Sequence, residues 1–209
     1  MKKLISAIFS VIILSAFAFH ANAQKGEWKL SLNYNYSLPL GSFKSDIIDK
    51  SSPLGFSGSF MYELSDKFSL GIYGGYQDYY QKFPRAVYQT DNHEVTSAVL
   101  SNSVQTMPIL LKAGFSPLAA THAPVQPYVA LGAGVSIIDF TQYLGEFGGT
   151  NSSAGFTAQG SAGIKIPFGK FSKSGVNIGA DYNYISYSKF GYNNLNNVSL
   201  HAGVYFPLR

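Results

Sequence analysis

Ser199 and His201 stand closest to a nucleophile and base in this sequence. Residues two apart on a strand share a face, so a hydroxyl and an imidazole could meet there. A hydrolytic site would also need a group to orient the imidazole and donors for an oxyanion. His20 lies in a leading apolar segment, while His93 and His122 fall in connections between patterned runs. No Asp/His cluster or metal-ligand spacing is visible, and there is no cysteine, which excludes thiolate metal sites and disulfides. The expectation is a protein with no catalytic residue, cofactor or metal.

The other ionisable residues of interest are Lys29, Glu63, Lys112, Lys165 and Asp181, each set within a run that alternates with apolar residues. They are notable because charge is scarce: 12% of the residues are charged, against 15% aromatic. An ordinary soluble domain carries roughly twice that charge, about 25%. The formal net charge of +4 falls to about +2 without the leading segment, too little to argue for nucleic acid.

That leading segment places Lys2 and Lys3 before an apolar run from Leu4 to Phe19, followed by Ala21, Asn22 and Ala23. The order is that of a secretory signal peptide over 1–23, cleaved after Ala23, with a single domain over 24–209. No later stretch approaches the roughly 20 apolar residues of a membrane helix. Low charge, many aromatics and no helical span point to a barrel wall, the other structure that satisfies every backbone group in lipid.

Alternation with period two supports this along most of the chain. Trp28, Leu30, Leu32, Tyr34 and Tyr36 form one face of the first run, and Leu54 to Leu64 and Phe68 to Tyr76 continue the pattern in the second and third. The fourth is clean only from Met107 to Phe115, with a bulge expected near Val104 or Pro108, because proline cannot donate to a ladder. Four more runs place Val129 to Ile137, Phe156 to Ile166, Val176 to Tyr184 and Val198 to Phe206 at every second position. The fold predicted is an all-β, eight-stranded antiparallel up-and-down transmembrane barrel, with both termini on the periplasmic side. Leu30, Leu32, Phe60, Leu70, Ile72, Ile109, Leu111, Leu131, Val135, Ile164, Ile178, Leu200 and Val204 are expected to face lipid.

Longer connections, about 38–53, 78–93, 139–153 and 186–196, alternate with shorter ones on average, the order expected if the longer set faces outside the cell. On that topology Lys29, Glu63, Lys112 and Lys165 face inward near the periplasmic mouth, with Asp181 and His201 deeper. Charges inside a narrow barrel must be paired or hydrated. A lumen cluster is therefore expected in which Lys29 approaches Glu63, with Lys112 or Lys165 reaching across.

The chain resembles the OmpA/OmpX-like family of small outer-membrane barrels over essentially all of residues 24–209. The resemblance rests on LPLGSF (38–43), YELSDKFSLGIYGGY (62–76), MPILLK (107–112), PYVALGAGVS (127–136) and the terminal HAGVYFPL (201–208). The last is similar to the family's assembly signal, with His201, Gly203, Phe206 and Leu208 in its polar, glycine and two hydrophobic positions. The sequence departs from many members in having Arg209 where they have an aromatic, and a barrel without an appended periplasmic domain is expected. The resemblance implies residence in the Gram-negative outer membrane as a monomer, contact with lipids and lipopolysaccharide, and delivery by the barrel-assembly machinery.

Eight strands enclose an interior just wide enough for side chains to fill, so at most a narrow channel is expected. A structural, adhesive or loop-mediated binding role fits better, with an extracellular ligand recognised through loop aromatics such as Tyr79, Tyr80, Phe140, Tyr143, Phe147 and Tyr192. The alternative is a soluble exported lipocalin-like carrier, for which Gly26, Glu27 and Trp28 supply a G-x-W match. A carrier would turn its apolar face inward and a charged face to water. Here the face opposite the aromatics is mostly Gly, Ser and Asn.

Overall fold

The computed structural model describes residues 26–89, 95–121, 123–145, 147–169, 172–189 and 192–208. The expected signal peptide, His93, His122 and Arg209 lie outside them. Eight strands close into one antiparallel barrel: β1 (Trp28–Pro39), β2 (Ser52–Glu63), β3 (Phe68–Lys82), β4 (Leu100–Phe115), β5 (Gln126–Leu144), β6 (Phe147–Pro167), β7 (Gly175–Ile185) and β8 (Asn197–Leu208). Each pairs with its sequence neighbours, and β1 closes on β8 from Trp28 opposite Leu208 to Pro39 opposite Asn197.

The faces follow the alternation. Leu32, Leu70, Ile72, Ile109, Leu111, Leu131, Val135, Ile178 and Leu200 are exposed on the outside, while Asn35, Ser57, Lys112, Gln159, Asp181 and His201 are buried within. Leu30 and Phe60 are also on the outer face and are half-covered; Trp28 stacks on Phe60 at 4.3 Å between ring centroids. This is the reverse of a lipocalin-like carrier, because the apolar surface is outside and the polar surface inside. Trp28, Tyr62, Phe68 and Phe115 ring the periplasmic end, and Tyr34, Phe56 and Tyr76 stand nearer the other end, as an apolar band between two aromatic girdles requires. An Arg at Leu131, which is 73% exposed, is expected to cost roughly 2–4 kcal/mol in lipid vesicles. The same change at the loop residue Val87 should cost little, and equal costs at both sites would contradict the membrane assignment.

Two expectations are corrected. No bulge occurs at Val104 or Pro108: β4 runs in unbroken register against β5, and its register with β3 is the same on both sides of Pro108. The irregularity lies instead between Asn35 and Ser37, where β1 meets β2. Nor is 139–153 a long connection. β5 and β6 stay paired up to Leu144 opposite Phe147, so most of that segment is strand.

The outer end is consequently uneven. The β2–β3 ladder stops at Leu54 opposite Asp78 and the β6–β7 ladder at Thr157 opposite Ile185, while β3, β4, β5 and β6 continue as a four-stranded sheet. At roughly 3.4 Å per residue, the β6 stretch beyond Thr157 runs about 30 Å along its own axis past the point where β7 ends. A short hairpin, Ala86–Gln89 with Val95–Ala98, tops the connection between β3 and β4.

Candidate functional site

The lumen is polar below and apolar above. In its lower half, Lys29 on β1 pairs with Glu63 on β2 at 2.5 Å, both side chains partly exposed at the periplasmic mouth. Deeper in, Asp181 on β7 is the centre of a second group. Its Oδ2 lies 2.7 Å from His201 Nδ1 on β8, and its Oδ1 lies 3.7 Å from Lys112 Nζ on β4. The Lys112 ammonium donates to Gln159 Oε1 at 2.7 Å and stands 4.7 Å from the centroid of the Tyr73 ring. His201 Nε2 lies 2.6 Å from the Tyr128 hydroxyl. With Nδ1–H donating to Asp181 and Nε2 accepting from Tyr128, every polar atom of a neutral imidazole has a partner.

Backbone architecture makes room for this group. Gly163 and Gly179 oppose each other across β6 and β7. A Cβ on Gly179 would stand 2.8 Å from His201 Nε2, and one on Gly163 would stand 2.9 Å from the Tyr128 ring. Bare backbone there lets two large rings meet across the lumen.

The expected cluster is therefore two clusters. Lys29 does reach Glu63, but Lys112 turns to Asp181 because the two lie at one height in the barrel. Lys165 makes no salt bridge among the described residues; its ammonium lies 5.3 Å from the Tyr128 ring centroid and 5.9 Å from that of Tyr205. Ser199 and His201 share the inward face but do not meet, since the Ser199 hydroxyl contacts Ser37 Oγ and Asn197 Oδ1. Tyr128 was not among the expected site residues. Its signal was an inward aromatic alternating with Ala130 and Gly132, where small residues dominate.

Above the Asp181 group a chain of amides continues. Gln159 donates to Asn183, and Asn183 to Asn197 and Ser199. Higher still the lumen turns apolar. The connection after β1 folds inward through a turn of π-helix at Phe43–Ile47. Phe43, Ile47 and Ile48 are buried against Tyr79, Val104, Ile138, Phe140, Ile185, Tyr187 and Leu195. The Phe43 and Tyr79 rings meet edge to face at 4.9 Å. Asn102 anchors the turn by donating to the Ile47 carbonyl at 3.0 Å. Of the aromatics expected to act as loop ligand contacts, Tyr79 and Phe140 are thus inward plug residues and Tyr192 packs against the plug, 6.0 Å from the Phe140 ring centroid, while Tyr80, Tyr143 and Phe147 remain exposed. In the last strand, His201 and Gly203 face the lumen side and Phe206 and Leu208 the outer side.

The polar groups in hand can hold a proton on an Asp-oriented imidazole and close the lumen by hydrogen bonding. The described residues contain no group of three or more His, Asp or Glu placed to hold a metal. Among solved structures, the chain is similar to neisserial surface protein A (NspA), at 18% identity and a TM-score of 0.52, with 90% of this chain and 100% of that one covered. It is also similar to the outer membrane protein OprG from Pseudomonas aeruginosa, at 14% identity and a TM-score of 0.49, covering 88% and 96%. At 18% identity the likeness to NspA speaks for the fold alone. No curated protein matches the chain significantly. A family model described as the outer membrane protein beta-barrel domain matches residues 5–206. With an apolar outer face, a polar lumen and eight strands closed in register, the chain belongs to the outer membrane protein β-barrel domain family, and its place is the outer membrane of a Gram-negative cell.

Proposed function

We propose that this barrel is a closed, non-catalytic anchor that holds a binding sheet outside the cell, and that its partner is an extended polypeptide adding to the edge of β6. The observation that carries this reading is the open edge of the protruding sheet. The Phe156 carbonyl accepts from the Ser186 N–H, so the backbone groups of Phe156 point toward β7. By the antiparallel alternation, those of Ala154, Ser152, Thr150 and Gly148 point the same way, where no strand pairs with β6 among the described residues; the short hairpin of Ser188–Lys189 with Tyr192–Asn193 reaches this side through Lys189 Nζ, which donates to Asn151 Oδ1, and leaves the backbone edge unpaired. An unpaired run of donors and acceptors is a template for strand addition. The segment carries no proline or charged residue from Phe147 to Phe156, and its outward side chains are exposed. Lipid and lipopolysaccharide would surround the barrel below it. Recognition of the last strand by the barrel-assembly machinery, through His201, Gly203, Phe206 and Leu208, belongs to the same reading and rests on the motif.

Proline at position 150 isolates the edge. Its missing N–H would be one that points away from β5, and the other contact it loses is the exposed hydroxyl pair with Thr141, so Thr150→Pro should change stability by no more than about 1 kcal/mol. It should weaken an added strand at least about tenfold, since it removes a hydrogen bond and thrusts a ring into the approaching backbone. The test presents the protein in nanodiscs to a library of extended decapeptides and compares wild type with Thr150→Pro. Peptides that bind wild type and are lost on the variant are expected. Absence of binders, or binding that survives the proline, would sink the proposal.

A further inference from the structure

We infer that the periplasmic half of the lumen is a binding site for a small tetrahedral oxyanion, of the chemistry of inorganic phosphate, held by Lys165. A cavity of about 60 Å³ lies there, between the Lys29–Glu63 pair at the mouth and the Asp181 group above. At about 10–15 Å³ per water, it has room for several waters or one such anion.

The charges around it do not balance. Lys29 has Glu63, and Lys112 has Asp181 and Gln159. Lys165 lines the same cavity with the Tyr128 and Tyr205 rings beside its ammonium, and it makes no salt bridge among the described residues, Glu63 being paired with Lys29. A lysine enclosed by protein without a counter-charge is costly unless an anion or water supplies one.

The neutral groups facing the cavity point to an anion. Ser31, Ser59, Ser69 and Ser116 line it, and none of these hydroxyls has a hydrogen-bond partner among the described residues. Four such hydroxyls and one ammonium line a single space beside two buried acceptors, Asp181 Oδ1 and Asn177 Oδ1, so the oxyanion that fits is one that keeps a proton, as dihydrogen phosphate does, donating to an acceptor while it accepts from Lys165 and the hydroxyls. A cation would meet two ammonium groups, Lys112 and Lys165, on the same lining, with the one carboxylate there, Asp181, held between Lys112 and His201. The apolar plug around Phe43 blocks the outer end, so the site is a dead-end pocket filled from the periplasm. This inference is independent of the external sheet edge.

The experiment titrates inorganic phosphate into the purified protein in nanodiscs at constant ionic strength, following ³¹P line broadening and the thermal unfolding midpoint. Saturable binding is expected, weakened about tenfold or more by Lys165→Met, which keeps the stem and removes the charge-assisted bonds. Ser59→Ala/Ser69→Ala, which keeps the lysine, should weaken it about threefold to tenfold. Lys189→Met, outside the lumen, should leave it unchanged. If Lys165→Met fails to fold, the double serine variant carries the test alone. Absence of saturable binding to wild type, or equal affinity in the wild type and the lumen variants, overturns the site.

Discussion

Replacing Asp181 by Leu should lower the unfolding free energy by roughly 3–5 kcal/mol, the usual result of removing one partner from a buried ion pair. Asp181 is 2% exposed and is the carboxylate against which both Lys112 and His201 are set. Its loss leaves an ammonium enclosed with only Gln159 and the Tyr73 ring, and frees the imidazole from the group that orients it. The double variant Asp181→Leu/Lys112→Met should recover most of the loss, because matched apolar groups remove the uncompensated charge together with the attraction. Urea titration in lipid vesicles can follow Trp28, the single tryptophan, at the periplasmic girdle. An Asp181→Leu barrel as stable as wild type would mean that these charges are hydrated and not mutually dependent.

Truncating the plug should have an effect of similar size but confined to the outer end. Phe43 is 0% exposed and touches the Tyr79 ring, so Phe43→Ala is expected to cost roughly 3–5 kcal/mol where the cavity cannot collapse. Hydrogen exchange should locate the loss. Amides of Ile47, Ile48, Phe140 and Leu195 should exchange faster, while those of Leu32, Leu111 and Val204, held by barrel ladders in the membrane, should not change. Uniform acceleration along all strands would show that the plug is part of the barrel's global stability. No change at all would show that Phe43 packs less tightly than described.

Where lipid lies outside and polar groups inside, the strands were legible from alternation alone. β1, β3 and β8 have the phase that their apolar residues imply, and the lipid-facing residues lie on the outer face. Legibility failed above the membrane for a physical reason. There the outside is water and the inside is the plug, so apolar residues such as Tyr79, Val104, Ile138 and Phe140 belong on the inner face. Polar stretches such as Thr141 opposite Thr150 then look like connections although they are paired strand. The phase of β4 was obscured by the same change, and Pro108, which suggested a bulge, only interrupts a ladder whose register continues.

The lumen was legible by face but not by height. Alternation turns Lys29, Glu63, Lys112, Lys165, Asp181 and His201 inward, yet which of them meet depends on strand stagger around the closed barrel. Lys29 and Glu63 are on neighbouring strands and their meeting was accessible to reasoning. Lys112 on β4 and Asp181 on β7 are not neighbours in the sheet, and their contact exists only once the barrel is closed. Tyr128 became recognisable as a partner of His201 only when Gly163 and Gly179 were seen to oppose each other.

Single-channel recording in planar bilayers tests the closed barrel most directly. The account predicts no unitary conductance from the wild-type protein, because the Phe43–Ile48 plug fills the outer end of the lumen. It predicts conductance steps only when residues 43–48 are replaced by a Gly-Ser segment and the hydrogen-bonded groups below are cut back as well, with Lys112, Tyr128 and Asp181 replaced by Ala. Steady conductance through the wild-type protein, altered by substitutions at Lys112 or Asp181, would contradict it.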